Sequence, residues 1–316
     1  MPPGPSRSRG AGLAFAAPQP RDFAMSRAAR LCLVTDIHHG KPSFSKAGPA
    51  ALGLMEEFRR FVDETRPDLV LDLGDRISDE ARESDLVLER EVAEAFAPIA
   101  VPRVHLDGNH DRDYLEVADN DAILGRTAHH ETIDVGDWRL VVWRADAKLH
   151  RPSGFALQDA DLAWLAATIA AADRPLAIIS HVPVSGHSQV GNFWFENNAR
   201  FSTYPTAERV RAVLRTAQVP VVWISGHVHW NTLTMVDGIA HITLQSLTET
   251  FTTAGEPAGA FALLELSDEV LWRVHGRDTF AWTARAETLS RRWLAPLPDF
   301  RELAGSKMHQ AAEAAA

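Results

Sequence analysis

Residues 33–40 read LVTDIHHG, in which an aspartate and two adjacent histidines follow a short apolar run. The run begins near Leu31 and has the composition of a buried β-strand. Three side chains able to bind a metal ion therefore lie close together: Asp36, His38 and His39. In an extended backbone alternate side chains point to the same side, so we expect Asp36 and His38 to face together and His39 to face away.

Four further apolar runs also end in polar residues. They are PDLVLDLGDR (67–76), VPRVHLDGNHD (101–111), RPLAIISHVP (174–183) and VPVVWISGHVH (219–229). Helix-like segments at 47–65, 83–97, 159–172 and 206–217 alternate with them, which predicts parallel βαβ units and an α/β fold. Three stretches, 130–146, 232–247 and 259–276, are typical of antiparallel strand pairs, and the second of them is expected to turn at Asp237-Gly238.

Candidate ligands follow every one of the five predicted strands. Because the carboxyl ends of parallel strands meet at one edge of a sheet, we expect these groups to form a single site. A lone aspartate or histidine at such a position is usually a turn or cap residue, so the prediction depends on the joint occurrence. The candidates are Asp36, His38, Asp75, Asn109, His110, His181, His227 and His229.

The motifs DIH, GD, GNHD, SHVP and GHVH occur in this order over about residues 31–230, and the series resembles the calcineurin-like metallophosphoesterase superfamily. The resemblance implies a four-layer αββα sandwich of two mixed β-sheets flanked by helices. It also implies a dinuclear centre, with Asp36, His38 and His229 on one metal and Asn109, His181 and His227 on the other. Asp75 would bridge the two ions. A shell of nitrogen and oxygen ligands suits Mn, Fe or Zn.

Four residues lie next to the implied ligands, and three of them have two interpretations each. The resemblance implies that His110 is catalytic and contacts the substrate, and Asp111 is either its orienting partner or a helix cap. Arg76 either binds a phosphate oxygen or forms a surface salt bridge. His39 either supports the shell or is exposed.

Residues 184–205, VSGHSQVGNFWFENNARFSTYP, show no hydrophobic periodicity and are long for an ordinary loop. Loops of this length are often lids or binding loops, which makes Trp194 and Asn197 candidate substrate contacts. A subunit interface or a local core is an equally good interpretation of the aromatic residues.

The implied activity is hydrolysis of a small phosphate ester by a hydroxide generated at the metals. Among the branches of the superfamily, the motifs look most like bacterial phosphodiesterases that act on cyclic nucleotides or glycerophosphodiesters. A phosphomonoesterase remains an alternative. A non-catalytic protein-binding scaffold is disfavoured, because every implied ligand position is filled.

Composition limits the other possibilities. The 316 residues carry a formal net charge of −10, which argues against a long nucleic-acid partner. No apolar stretch reaches the roughly 20 residues of a membrane span. The single cysteine, Cys32, is expected to be buried. We predict a disordered extension at 1–29, one domain at 30–302 and a C-terminal tail at 303–316, in a cytoplasmic protein that could form homo-oligomers.

Overall fold

The computed structural model describes residues 28–294 and 296–300. The predictions for the tail at 303–316, and for the extension up to residue 27, lie outside the described residues. The predicted extension is too long at its end, because Ala29 already begins the first strand and is fully buried.

The described residues form fourteen strands and five α-helices. The strands are β1 (Ala29–Val34), β2 (Leu69–Asp72), β3 (Arg103–His105), β4 (Glu131–Val135), β5 (Trp138–Val142), β6 (Leu149–His150), β7 (Gly154–Phe155), β8 (Leu176–Ile179), β9 (Val221–Ser225), β10 (Thr232–Val236), β11 (Ile239–Thr243), β12 (Phe261–Leu266), β13 (Glu269–His275) and β14 (Phe280–Arg285). The helices are α1 (Ala51–Thr65), α2 (Arg82–Phe96), α3 (Val117–Leu124), α4 (Asp159–Ala170) and α5 (Ala207–Leu214).

Two six-stranded sheets organise the described part of the chain. The first has the order β14-β13-β12-β1-β2-β3, and the second has the order β10-β11-β9-β8-β5-β4. Strands β1, β2 and β3 pair in parallel, whereas β12 joins β1 antiparallel. In the second sheet β5, β8, β9 and β11 are parallel, and β4 and β10 are antiparallel edges. Both sheets are therefore mixed.

The core explains why the strands are apolar on both faces. In β1, Leu31 and Leu33 pack between the two sheets, together with Leu140 and Ile224 of the second sheet. The alternate residues Cys32 and Val34 point outward against α1 and α2. Helices α4 and α5 cover the outer face of the second sheet in the same way. These layers confirm the predicted four-layer αββα sandwich and the burial of Cys32.

This arrangement brings the polar ends of the predicted strands to one place. The segments after β1, β2 and β3 leave the first sheet at the same edge, and those after β8 and β9 leave the second sheet beside it. The three predicted strand pairs are present, and β10 and β11 turn at Asp237 and Gly238, both with positive φ. Helix α3 and strand β14 were not predicted. In the described residues, no helix has the length and apolar character needed to cross a membrane.

Candidate metal centre

The structure brings the candidate ligands into two adjoining groups. Their ligand atoms lie within 4.8 Å of one another in each group, and every residue involved is buried. Asp75 belongs to both groups, which is the sharing expected of a bridging carboxylate. The first group is Asp36, His38, Asp75 and His229, and the second is Asp75, His181 and His227.

Three buried atoms of candidate ligands, two of them in the second group, lack a hydrogen-bond partner among the described residues: Asn109 Oδ1, His181 Nε2 and His227 Nδ1. A buried polar atom without a partner costs free energy, and a metal ion would satisfy all three. The resemblance implies the same three residues as ligands of one ion. The donor set therefore fits a metal with mixed nitrogen and oxygen ligands.

Backbone carbonyls decide which ring nitrogen faces the centre. His181 Nδ1 lies 2.9 Å from the Leu73 carbonyl and His227 Nε2 lies 2.8 Å from the Phe201 carbonyl. A carbonyl can only accept, so in the neutral imidazole these nitrogens carry the proton and the opposite nitrogens keep their lone pairs. Lone pairs directed into the centre are what a metal ligand requires.

In the first group, too, one ring nitrogen of each histidine contacts an acceptor outside the centre. His229 Nδ1 lies 2.8 Å from Glu249 Oε2, and His38 Nδ1 lies 3.3 Å from the Ile77 carbonyl. The two Nε2 atoms consequently face each other at 2.9 Å. Two lone pairs at this distance repel unless a cation or a proton lies between them, so this pair also fits a metal ion.

The buried carboxylates create a negative potential at the centre. Burial disfavours the protonated imidazole of His181, yet Asp75 outweighs it and raises the pKa of His181 to about 9. Asp36 and Glu249 likewise overcome burial and raise the pKa of His229 to about 9. Burial instead lowers the pKa of His227 to about 4 and also that of His38. The carboxylates that stabilise an imidazolium at His181 and His229 also favour a metal cation.

The backbone of the ligand segments differs from the extended conformation predicted for residues 36–38. Strand β1 ends at Val34, and five candidate ligands have φ between 48° and 72°. Non-glycine residues adopt this region rarely, and such strain clusters at functional sites. The five are Asp36, His38, Asp75, His227 and His229.

Glycines next to these ligands allow a close approach of the chain. A Cβ at Gly226 would lie 2.5 Å from Asp36 Oδ2, and one at Gly108 would overlap Asp75 Oδ1. Only glycine therefore fits at these two positions. The Gly-Asn-His and Gly-His motifs follow from this contact between segments.

The side chain of His39 points away from the centre, as predicted from its place beside Asp36 and His38. Its Nε2 lies 2.7 Å from Glu91 Oε2 on α2, and its side chain is 12% exposed. His39 is thus neither part of the ligand groups nor freely exposed. Its contact with Glu91 connects the segment that carries Asp36 and His38 to α2.

His110 lies at the open side of the centre and is partly buried. Its ring contacts that of His38, with a distance of 4.8 Å between the centroids. Its Nδ1 is in close contact with Asp79, and its Nε2 lies 3.5 Å from Lys46 Nζ. Asp79 is therefore the carboxylate that orients His110.

Asp111 has a different position from the one expected of an orienting partner. It is fully buried and accepts hydrogen bonds from the backbone N–H groups of Asp75, Arg76 and Gly108 at 2.8–2.9 Å. It neither contacts the His110 ring nor caps a helix through its side chain. Its carboxylate joins the loop after β2 to the loop after β3, which corrects both interpretations of Asp111.

Arg76 is also corrected, because its side chain is completely buried. The guanidinium is bonded to Asp72, Glu89 and Asp107, and it also contacts Asp111. A group with this many interior partners is neither a surface salt bridge nor free to bind phosphate.

The loop at 184–205 packs on the centre. The Trp194 indole N–H donates to Glu249 Oε2 at 2.8 Å, and its ring lies 5.8 Å from that of His229. Asn197 is exposed, whereas Asn192 is buried and donates to the Val228 carbonyl at 2.8 Å. The loop is thus fixed to the ligand segment through Asn192, a residue that sequence reasoning missed.

Lys46 and Glu249 were missed as well. No motif marks either of them, and Glu249 is 20 residues beyond the last histidine of the motifs. The only available signal for Glu249 was a carboxylate in a segment otherwise rich in threonine, which is too weak to identify a contact.

A cavity of about 320 Å³ borders the second group at His181. Its lining includes Arg112, Arg144, Asp146 and Trp143, so it is polar and charged on one side and aromatic on another.

Comparisons with known proteins agree with this geometry. A family model described as calcineurin-like phosphoesterase matches residues 29–231. No curated protein sequence matches the chain.

Two solved structures are similar to the chain to different degrees. A protein of Thermus thermophilus is 13% identical, with a TM-score of 0.45 over 82% of this chain and 100% of that chain. A dimetal phosphatase from Danio rerio is 17% identical, with a TM-score of 0.66 over 82% of this chain and 99% of that chain, and this likeness establishes a common fold. The family model covers well over half of the sequence, so the chain belongs to the calcineurin-like phosphoesterase family.

Proposed function

We propose that this metal-dependent phosphoric ester hydrolase acts on small phosphodiesters. The observation that supports a diester is the presence of two separate surfaces able to contact a substituent, an exposed aromatic rim beside the first ligand group and a cavity beside the second. A diester carries an organic substituent on both sides of phosphorus, whereas a monoester carries one.

The first surface is an aromatic rim formed by Phe44, Trp194, Phe193 and Phe251. Phe44 is 88% exposed and Phe193 is 54% exposed, although both pack against Trp194 with ring centroids 5.3–5.5 Å away. Exposed aromatic surface next to a polar centre is typical of a binding site for an organic group. Through Trp194 the rim adjoins His229 and the first ligand group.

The second surface is the cavity that borders His181. Arg112 and Arg144 contribute positive charge to its lining, and Asp107, Asp146 and Asp161 contribute carboxylates. This charged lining suits a polar substituent. The rim and the cavity differ in polarity, so they would favour a diester with two unlike substituents.

The residues of the centre have separate roles in this proposal. When bound, two metal ions held by the ligand groups would polarise the phosphate and lower the pKa of water. Asp79 holds the imidazole of His110 by Nδ1, so Nε2 faces the open side. From there His110 would donate a proton to the departing alkoxide oxygen, as general-acid catalysis requires.

We expect the metals to be Mn, Fe or Zn, because the ligands are imidazole nitrogens, carboxylates and one amide oxygen. A small ester is favoured over a long nucleic acid by the net charge of −10. A cytoplasmic location and homo-oligomerisation stay predictions from the sequence.

The test compares bis(p-nitrophenyl) phosphate with p-nitrophenyl phosphate after reconstitution with Mn, Fe or Zn. We expect kcat/KM to be at least about tenfold higher for the diester, since only the diester can contact both the rim and the cavity. Asp75→Ala is the control for contaminating activity, because it removes the shared ligand. A higher kcat/KM for the monoester would overturn the proposal in favour of a phosphatase.

A further inference from the structure

Lys46 is a buried lysine at the mouth of the centre that none of the five motifs contains. Its side chain lies in the interior and the whole residue is 4% exposed. It ends a tight turn, in which Ser43 N–H donates to the Lys46 carbonyl at 3.1 Å and Lys46 N–H donates to the Ser43 carbonyl at 2.8 Å. Thr250 Oγ1 donates to the Ser45 carbonyl at 2.7 Å, so the turn is fixed to the segment that carries Glu249.

The ammonium group is placed by two side chains of the centre. Lys46 Nζ lies 3.5 Å from His110 Nε2 and 5.2 Å from the centroid of the Trp194 ring. Trp194 is hydrogen-bonded to Glu249 and His110 to Asp79, so both neighbours of Lys46 are themselves held in place. Lys46 therefore has a defined position above the first ligand group.

The position is costly for a cation. Burial lowers the pKa of Lys46, while Asp75, Asp79, Glu249 and Asp36 act in the opposite direction. Four nearby carboxylates thus favour the ammonium form, although none in the described residues lies within 4.0 Å of Nζ. The field of the centre offsets part of the cost of burial without a direct ion pair.

The ammonium group of Lys46 has more N–H donors than hydrogen-bond acceptors around it. It has three N–H donors, and the nearest possible acceptor in the described residues, His110 Nε2, lies at the outer limit of distance. When His110 carries its proton on Nε2, as a general acid must, all three donors are free. By contrast, the exposed Lys41 of the same loop forms an ordinary ion pair with Glu80 at 2.7 Å. A lysine that served only the fold would be expected to have such a partner.

We propose that Lys46 Nζ donates a hydrogen bond to a non-bridging oxygen of the substrate phosphate. A phosphate placed beside His110 comes within reach of the free N–H groups, and a charge-assisted bond to an anion offsets the cost of burying the ammonium. The inference rests on the proposed hydrolysis of phosphate esters at this centre, but it holds for a monoester and a diester alike.

Phosphate binding tests the role without turnover. The dissociation constant of inorganic phosphate is measured by calorimetry on the metal-loaded protein, with metal content determined in the same samples. We expect Lys46→Met to weaken phosphate binding by about tenfold or more, because a charge-assisted bond is lost, and to leave the metal content unchanged. Lys46→Arg retains the charge and should recover part of the affinity.

The matched control is Lys41→Met, which removes an exposed lysine from the same loop. Equal phosphate affinity in the Lys46→Met and Lys41→Met proteins would overturn the inference. So would a loss of metal in both Lys46 variants, or a wild-type protein that does not bind phosphate. If phosphate binding depends on Lys46 but the diester is not hydrolysed, the diesterase proposal fails and the inference on Lys46 stands.

Discussion

At the scale of single residues, neighbours in space define roles that neighbours in sequence do not. Asp111 follows His110 directly but bonds to three backbone N–H groups, whereas Asp79, 31 residues away, contacts the His110 ring. Two carboxylates close to His110 therefore serve different purposes. One orients the imidazole and the other holds two loops together.

This difference predicts opposite effects of two matched substitutions. Asp79→Asn should lower kcat by about tenfold or more, with the melting temperature and metal content unchanged, because His110 loses its anionic partner. Asp111→Asn should instead lower the free energy of unfolding by about 3 kcal/mol, because an NH2 donor replaces a buried oxygen that accepts backbone N–H groups beside Arg76. Steady-state kinetics and urea unfolding separate the two effects. A drop in stability for Asp79→Asn equal to that for Asp111→Asn would contradict the assignment.

The motifs identified the residues that contact one another at the strand ends, but not the residues that support them. Asp36, His38 and Asp75 follow predicted strands directly, so topology alone brings them together. Lys46 and Glu249 reach the centre from turns whose geometry is set by tertiary contacts. Their positions depend on side-chain packing that has no periodic signal in the sequence.

At the scale of elements, Arg76 ties together the end of β2, helix α2 and the loop after β3. Its buried guanidinium bonds to Asp72 on β2, Glu89 on α2 and Asp107 in the loop. From the sequence alone these residues look like ordinary surface charges, because no local pattern reveals a buried ion-pair network. Replacing any single member leaves the others partly uncompensated.

The network predicts a specific dependence of stability on pH. Burial alone would raise the pKa of Asp72, but Arg76 and His105 outweigh it and hold this pKa at about 2. A carboxyl group whose pKa is lowered by folding stabilises the protein above its unfolded value of 3.8, and this contribution is lost as pH falls towards 2. The full contribution is about 2 kcal/mol.

Urea unfolding at pH 6 and pH 3 provides the measurement. Asp72→Asn should lose less stability between these two pH values than the wild type, by about 1 kcal/mol. Asp63→Asn, which alters an exposed aspartate on α1, is the control and should behave like the wild type. An Asp72→Asn protein with the wild-type pH dependence would rule out this source of acid sensitivity.

Elements with strong patterns were predicted and weakly patterned ones were not. Helix α1 buries Met55, Phe58 and Val62 on one face at helical spacing, which the sequence displays clearly. Helix α3 has only eight residues and buries Asn120 alone, so it has almost no amphipathic signal. Strand β14 alternates between half-buried and exposed positions at a sheet edge, and its pattern is correspondingly faint.

At the scale of the whole molecule, the candidate ligands come from both sheets. Asp36, Asp75 and Asn109 follow strands of the first sheet, and the histidines at 181, 227 and 229 follow strands of the second. An ion bound between them would join the two halves of the sandwich. Metal binding and global stability are therefore linked.

Removal of metal by a chelator should lower the melting temperature of the reconstituted protein. At a free metal concentration of roughly 1,000 times Kd, the linkage amounts to about 4 kcal/mol per site. Asp75→Ala should melt at the same temperature with and without chelator, because the shared ligand is absent. An equal shift in the wild type and the variant would mean that the chelator acts elsewhere.

The pairing of β1 with β12 affects folding during synthesis and the folding of shortened fragments. Ala29 lies opposite Leu266, so the central strand of the first sheet acquires one of its two neighbours only after most of the chain has been synthesised. Until then that edge is open to pairing with other chains. A fragment that ends at residue 231, where the family match ends, would keep every motif but lack both β12 and Glu249. The smallest segment able to fold is thus longer than the segment that carries the signature.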